Sequence, residues 1–214
     1  MATPNSAQSW DQWLDNYVNR YQEQLGQLPQ FYCGAENTPC QVGAANQGFI
    51  AWKPSKREVD NDLVDIETAL EDAFHPDIHW FYGRYYCPPL KFNSAFGSGE
   101  LLQTYNQEDF DFLKKNLVGH VLMKRKLKQA PTLFIGVLDD SDLMLSQKCE
   151  DGSVWLEQAG QEPQQKLADS IEGLLAQLTP RIAPAEKPPQ DELLPHEGFW
   201  ARIGRMMRSL FNRP

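Results

Sequence analysis

Residues 106–138 constrain the fold most tightly, because they join one long amphipathic helix to one almost wholly apolar strand. Apolar residues recur near the 3.6-residue helical period from Phe110 to Leu127. Asn106 and Asp109 supply a cap and a negative charge at the helix start, while the basic run at residues 124–128 suits its carboxyl end. The stretch therefore predicts a helix that packs its apolar side on a sheet.

Pro131 ends that helix, and the short apolar run at residues 132–138 predicts a central strand covered on both faces. Other patterns predict helices at residues 6–25, 62–74 and 164–178, strands at 49–52, 78–86, 101–105, 143–149 and 154–158, and an irregular stretch at 91–99. The sequence thus predicts an α+β fold: a single domain with a central mixed β-sheet packed by helices. A C-terminal amphipathic helix follows on a Pro-rich linker. The expected bounds are 1–179 for the domain, 180–195 for the linker and 196–214 for the basic helix.

The charge balance separates the body from the tail. The chain carries a net −9; residues 1–195 hold 16 basic against 28 acidic side chains, a balance of −12, and residues 196–214 hold four against one, a balance of +3. A body this acidic is not expected to bind nucleic acid, which needs clustered Lys and Arg. It favours basic partners, although many acidic proteins are simply soluble. No apolar run reaches bilayer-spanning length, and the first residues carry no secretory-signal pattern.

Motifs for catalysis are missing from the sequence. There is no G-x-S-x-G, no P-loop and no dinucleotide-binding glycine pattern. His75 and His79 are four residues apart with Pro76 between them and no third ligand nearby, so no metal site is expected. His79 and His120 are interpreted as structural, and the four cysteines as reduced thiols. These features predict a protein that is not an enzyme and needs no cofactor.

Residues 58–77 contain eight acids and no base. On a helical wheel, the apolar positions of residues 62–74 fall within about 140°, and Asp65, Glu71 and Asp72 point the opposite way. Two interpretations remain open at this point. The acids form either an ordinary solvated helix face or a surface that binds a basic partner.

The C-terminal segment separates apolar from basic residues along a helix. The predicted membrane-contact residues, apolar within about 140° and basic beyond that arc, are Phe199, Trp200, Arg202, Ile203, Arg205, Met206, Met207, Arg208, Leu210 and Phe211. This pattern favours a helix lying on an anionic membrane surface. The alternatives are that its apolar side docks on the protein's own body, or that its arginines occupy the acidic surface of that body.

A family resemblance rests on motifs whose order and spacing are specific together. These are Pro39-Cys40, Trp52-x-Pro54, Pro76-x-Ile78-His79-x-Phe81-Tyr82, Leu101-Leu102-Gln103-Thr104-Tyr105, Glu108-Asp109-Phe110, Asn116-Leu117-x-Gly119-His120, Lys124 or Arg125 through Leu127-Lys128, and Pro131-Thr132-Leu133-Phe134-Ile135. The pattern resembles the Syd family, the SecY-interacting proteins of bacteria. The resemblance runs from about residue 6 to 180 and leaves residues 181–214 outside.

The resemblance implies a SUKH-type α+β domain that docks on basic cytosolic loops of the SecY channel through an acidic concave surface. It places the protein peripherally on the cytoplasmic side of the cell inner membrane, as a regulator or quality-control factor. Acids at matched positions are Glu67, Glu71, Glu108, Asp109, Asp139 and Asp140. The family can carry an acid in residues 93–98, and this chain has none there. This chain instead has the extra aspartates Asp62, Asp65 and Asp72. The alternative function is an immunity-type SUKH module that neutralises a basic toxin.

Overall fold

The computed structural model describes residues 4–34, 36–58, 63–139 and 141–187. Asp62, Asp140 and the predicted C-terminal helix therefore lie outside the described residues. Within the described ranges the chain forms five helices. They are α1 (Pro4–Leu25), α2 (Val64–Leu70), α3 (Pro76–Gly83), α4 (Gln107–Lys126) and α5 (Ile171–Leu175). No helix among them is long and apolar enough to cross a bilayer.

Seven strands form the main sheet, in the spatial order β11-β10-β9-β8-β7-β6-β12. They are β6 (Leu90–Ser94), β7 (Gly97–Leu101), β8 (Thr132–Leu138), β9 (Leu143–Lys148), β10 (Val154–Gln158), β11 (Gln165–Ala168) and β12 (Thr179–Pro180). A small sheet has the order β1-β3-β2, and a third holds β4 and β5. These strands are β1 (Gln30–Tyr32), β2 (Gln41–Asn46), β3 (Phe49–Trp52), β4 (Ser55–Lys56) and β5 (Tyr85–Tyr86).

The predicted helix–strand unit is confirmed as α4 and β8. The Asn106 side chain accepts a hydrogen bond from the Asp109 amide at 2.8 Å, which caps α4 as its sequence predicts. β8 lies in the middle of the seven-stranded sheet, and its first five residues are buried. The α+β class is confirmed as well, together with α1, β3, and the β9–β10 hairpin.

The main sheet is antiparallel throughout its described pairs, where the sequence led us to expect a mixed sheet. The reason lies in the connections. Short turns join β6 to β7, β8 to β9, β9 to β10 and β10 to β11, and a short turn can link only antiparallel neighbours. The longer connection between β7 and β8 contains α4 and also returns the chain antiparallel.

The strand predicted at residues 78–86 was wrong, because its first part is helix α3. Pro76 occupies the start of the helix, and the His75 side chain accepts a hydrogen bond from the Asp77 amide at 3.4 Å. The three consecutive aromatic residues 80–82 are all buried. A helix buried on every side has no polar stripe, so its apolar run imitates that of a strand.

Three further boundaries differ from the prediction. Residues 90–101 form the β6–β7 hairpin, where the sequence predicted an irregular stretch followed by a strand at 101–105. Residues 164–178 were predicted as one helix, but they form β11 and the short α5, which Ser170 caps. The helix predicted at 62–74 contains only α2, which ends at Glu71 in a left-handed conformation. Pairing with a neighbouring strand formed β6–β7 and β11, and a left-handed cap at Glu71 ended α2 early.

Helix α1 packs against both α3 and α5. On α1, Trp10 packs against Phe81 of α3 with ring centroids 5.1 Å apart, and Asp11 makes a two-bond ion pair with Arg84. Ser9 donates to a Glu172 carboxylate oxygen of α5 at 2.8 Å. One face of α4 packs on the sheet through buried apolar residues three or four positions apart: Phe110, Leu113, Leu117 and Val121. Helix α2, which carries several of the predicted acids, lies alongside α4.

Candidate functional site

Two of the predicted acids on α2 and the turn after it form ion pairs with α4. Asp65 Oδ2 lies 3.0 Å from Lys114 Nζ, and Asp72 Oδ2 lies 2.6 Å from Arg125 Nη2. Arg125 also donates to the Leu70 carbonyl oxygen, one of the unsatisfied carbonyls at the end of α2. The protein's own cations therefore neutralise part of the acidic segment and hold it on α4.

Glu67 has a local structural role. Its carboxylate accepts a hydrogen bond from the Phe74 amide at 2.7 Å and lies 3.4 Å from His79 Nε2. Both contacts close the turn that connects α2 to α3. Glu71, in contrast, has an exposed side chain on a left-handed backbone with φ 53°. No cation within the described ranges pairs with its carboxylate. Glu71 is thus the acid of this segment best placed to meet a partner.

The acids at the start of α4 divide into one structural and one exposed residue. Asp109 is 8 % exposed, and its carboxylate accepts a hydrogen bond from the Tyr105 amide at 3.2 Å. Together with the Asn106 cap, this bond satisfies backbone donors at the helix entrance. Glu108 is exposed in the same first turn. Asp109 is therefore needed for the helix end, whereas Glu108 faces solvent.

Asp139 lies apart from the α2 acids, at the end of β8. Its Oδ2 atom is 2.5 Å from Arg181 Nη1, just beyond β12. The structure therefore brings Asp65, Glu67, Glu71 and Asp72 together, and places Glu108 and Asp109 at the α4 entrance. The predicted acids form separate groups in the described structure, and several already have basic partners inside the protein.

A buried charged cluster inside the body was not predicted from the sequence. The Lys124 and Glu157 side chains are both 0 % exposed, with Nζ and Oε1 3.1 Å apart, and Lys124 Nζ also donates to the Gln161 carbonyl at 3.0 Å. His120 Nε2 lies 2.9 Å from Thr132 Oγ1 and 3.6 Å from Glu157 Oε1. The cluster ties α4 to β8, β10 and the turn after β10.

Lys124 lies in the last turn of α4, as the sequence predicts, but the sequence analysis did not predict that its side chain is buried. It lies four residues after His120 and seven after Leu117, so it falls on the buried side of α4. That spacing was the available signal, but Glu157 could not be identified as its partner from local pattern. Burial raises the pKa of the Glu157 carboxyl, and the adjacent Lys124 ammonium opposes the rise.

His120 is buried in the core, as its apolar neighbours predict. Burial, assisted by the charge of Lys124, lowers the pKa of His120 from 6.5 to about 3, so the ring is neutral at pH 7. Among the described residues no group of three His, Cys, Asp or Glu side chains could hold a metal ion. All four cysteines are buried and free, and burial raises the pKa of each thiol.

The low pKa of His120 predicts a loss of stability in mild acid. Between pH 6.5 and about 3 the unfolded chain binds a proton at this ring that the folded protein does not, so stability falls as pH falls. From pH 7 to pH 5 this group alone should lower the free energy of unfolding by about 2 kcal/mol. Urea titrations should show a shallower pH dependence for His120→Gln than for the unsubstituted protein. Equal slopes would contradict the assignment.

Comparison with known proteins decides the family. The model of the family described as Syd protein (SUKH-2) matches residues 7–180. The chain belongs to the Syd family. It is 42% identical over 208 residues to Protein Syd of Shewanella denitrificans, covering 95% of both chains, and 44% identical over 210 residues to Protein Syd of Shewanella putrefaciens, covering 95% and 96%. Protein Syd of Shewanella loihica is 41% identical over 215 residues, covering 96% of this chain and 98% of the relative.

These Syd relatives also correct the extent of the resemblance. Residues 181–214 were expected to lie outside it, but a match covering 95% of this chain leaves out only about 11 of its 214 residues. The tail beyond residue 180 has 34 residues, so most of the tail lies inside the matched region. The family model thus ends at residue 180, whereas the similarity to the individual relatives continues into the tail.

Proposed function

We propose that this Syd-family protein binds basic cytosolic loops of the SecY channel and regulates or checks the channel without catalysing a reaction. The observation that carries this proposal is the Syd-family match, which spans nearly the whole chain. The proposed location is the cytoplasmic side of the cell inner membrane, in peripheral contact. The −12 balance of residues 1–195 supports a basic partner and disfavours nucleic acid.

Residues 64–72, here called the α2 segment, supply the proposed contact acids in two ways. Glu71 is exposed and available directly. Asp65 and Asp72 sit in half-exposed or exposed ion pairs with Lys114 and Arg125. Such pairs contribute only about 0–1 kcal/mol each, so a Lys or Arg of the partner can replace the internal cation at little cost. Recognition by several exchangeable pairs gives fast, salt-dependent association.

The C-terminal segment is proposed to add a membrane contact. Its apolar side would enter the interface, and each Arg near an anionic leaflet would add about 1 kcal/mol. A tethered contact of this kind raises the effective concentration of the body near SecY. Co-sedimentation with anionic vesicles should fall sharply when residues 188–214 are deleted. Equal partition of both proteins would remove the membrane contact from the proposal, and tighter SecY binding by the shortened protein would indicate self-docking.

Reversing Asp65, Glu71 and Asp72 together to lysine should slow association with SecY steeply and flatten its salt dependence. The physical reason is that steering depends on the summed local charge, whereas each single reversal should have a mild effect. Association rates measured at low and high salt test this expectation. A matched control reverses the exposed acids Asp15, Glu23 and Glu162, which changes the net charge equally. Salt-independent binding of the unsubstituted protein would contradict the electrostatic part of the proposal.

The SUKH-2 classification of the Syd family leaves one alternative function, namely an immunity-type module that neutralises a basic toxin. An acidic surface would serve that role equally well. Affinity purification separates the two functions by the identity of the captured protein. Translocon subunits support SecY binding, and a toxin domain supports the alternative.

A further inference from the structure

The β2–β3 hairpin carries no charged residue, and its first strand is exposed along nearly its whole length. Gln47 and Gly48 form its turn with φ values of 51° and 83°, the left-handed conformations that a tight hairpin turn requires. Residues 42–47 are all exposed, and Val42 retains 40% of its surface. β2 is an edge strand whose only described strand partner is β3. The hairpin therefore offers its side chains to a partner.

This region differs in charge from the rest of the acidic protein. Residues 24–57 contain a single acid, Glu36, against three cations. Glu36 is directed inward, where its carboxylate accepts hydrogen bonds from the Tyr105 hydroxyl and the Asn106 amide group. Lys53 and Lys56 are exposed. The small sheet and its surroundings therefore present little negative charge to an anionic surface.

The last described residues of the chain lead from β12 to this hairpin. Residues 181–187, here called the strap, leave β12 and are held by the Arg181 amide donating to the Lys91 carbonyl at 3.0 Å and by the Tyr21 hydroxyl donating to the Ala183 carbonyl at 3.0 Å. At the strap's end, Lys187 Nζ lies 5.4 Å from the centre of the Tyr32 ring. Glu186 is the strap's single acid.

Tyr32 connects the strap to the hairpin turn. Its ring meets that of Phe49 edge to face at 5.1 Å, and it packs so closely on Gly48 that a Cβ there would lie 2.6 Å from the ring. Phe49 and Gly48 are the first residue of β3 and the turn residue before it. The strap therefore ends next to the hairpin turn.

We propose that the β2–β3 hairpin is a second membrane-contacting element, which lies on the same anionic lipid surface as the C-terminal segment. The strap ends beside the hairpin turn, and the hairpin carries no acid that the lipid headgroups would repel. Exposed Val42 and the small side chains of residues 43–45 can approach the headgroup layer closely, while Lys53 and Lys56 complement its charge. This inference rests on the proposed membrane contact of the tail and extends it to the orientation of the body.

The test uses the full-length protein and vesicles containing phosphatidylglycerol, with purely zwitterionic vesicles as reference. In the hairpin variant, Val42→Glu and Ala45→Glu place two charges on exposed positions of β2. The matched control, Gln12→Glu and Asn16→Glu, adds the same charge at exposed positions of α1. Circular dichroism and thermal unfolding establish that both variants are folded. We expect at least about tenfold weaker partition for the hairpin variant, and little change for the control.

Equal losses in the two variants would overturn the inference, because net charge alone would then explain them. An unchanged hairpin variant, together with binding that disappears on deletion of residues 188–214, would overturn it and leave the tail contact standing. If the unsubstituted protein binds no vesicles, both membrane contacts fail, while SecY capture still tests the proposed function separately. A photoactivatable residue at Ala45 supplies a direct arm: crosslinks to lipid support the inference, and crosslinks to SecY alone contradict it.

Discussion

Replacing Lys124 by methionine is expected to lower the free energy of unfolding by about 3–5 kcal/mol, a large fraction of a domain's stability. The substitution keeps the buried volume but leaves the Glu157 carboxylate without its cation in a site that water does not reach. The Gln161 carbonyl also loses its donor. Urea denaturation of the purified protein measures the effect.

The double substitution Lys124→Met with Glu157→Leu separates charge pairing from packing. Removing both charges removes the uncompensated carboxylate, so the double variant should be clearly more stable than Lys124→Met alone. The control is Lys115→Met at an exposed position of the same helix, which should change stability by about 0.5 kcal/mol or less. A loss for Lys124→Met no greater than that of the control would show that the buried pair is unimportant.

Gly99→Ala is expected to destabilise the protein by about 3 kcal/mol or more and to reduce its soluble yield. A Cβ at this position would lie 2.2 Å from the Val137 carbonyl oxygen and 2.8 Å from the Phe92 ring. The first of these atoms belongs to the backbone of β8, so relief requires β7 and β8 to separate. Thermal and urea unfolding would report the loss directly.

Gly173→Ala is the control for that glycine substitution. This residue lies in α5, where a new Cβ would meet its nearest atom, Ser170 Oγ, at 3.4 Å, and alanine favours a helix more than glycine does. Its stability should stay within about 1 kcal/mol of that of the unsubstituted protein. Similar losses at both positions would mean that the β7–β8 approach is looser than the structure indicates.

Local pattern sufficed where the chain's own neighbours determine the structure. α4 has a cap, an apolar stripe and a proline stop within one stretch, and β8 follows with a continuous apolar run, so both were predictable. α3 was misread as a strand because its buried aromatic run carries no helical stripe. β12 depends on pairing with β6, which no local window contains, and β11 is a short edge strand in which no residue is buried.

The candidate site shows the same division. The acidic character of the α2 segment was evident from composition, but its ion pairs are long-range. Asp65 and Lys114 are separated by 49 positions in the sequence, and Asp72 and Arg125 by 53. Lys124 and Glu157 are 33 positions apart. Such pairs depend on how α2, α4 and β10 pack together. The sequence could therefore identify the acids, but it could not indicate which of them form ion pairs with the protein's own cations.

Photo-crosslinking in living cells tests the central proposal, SecY recognition through the α2 segment, most directly. A photoactivatable residue would replace Ala69, exposed on α2, and in a second protein Asn16, exposed on α1. We expect irradiation to join the Ala69 probe to SecY, the Asn16 probe to capture far less, and the Asp65, Glu71 and Asp72 reversals to abolish the SecY product. Equal capture from both positions, or capture of a toxin domain in place of SecY, would contradict the proposal.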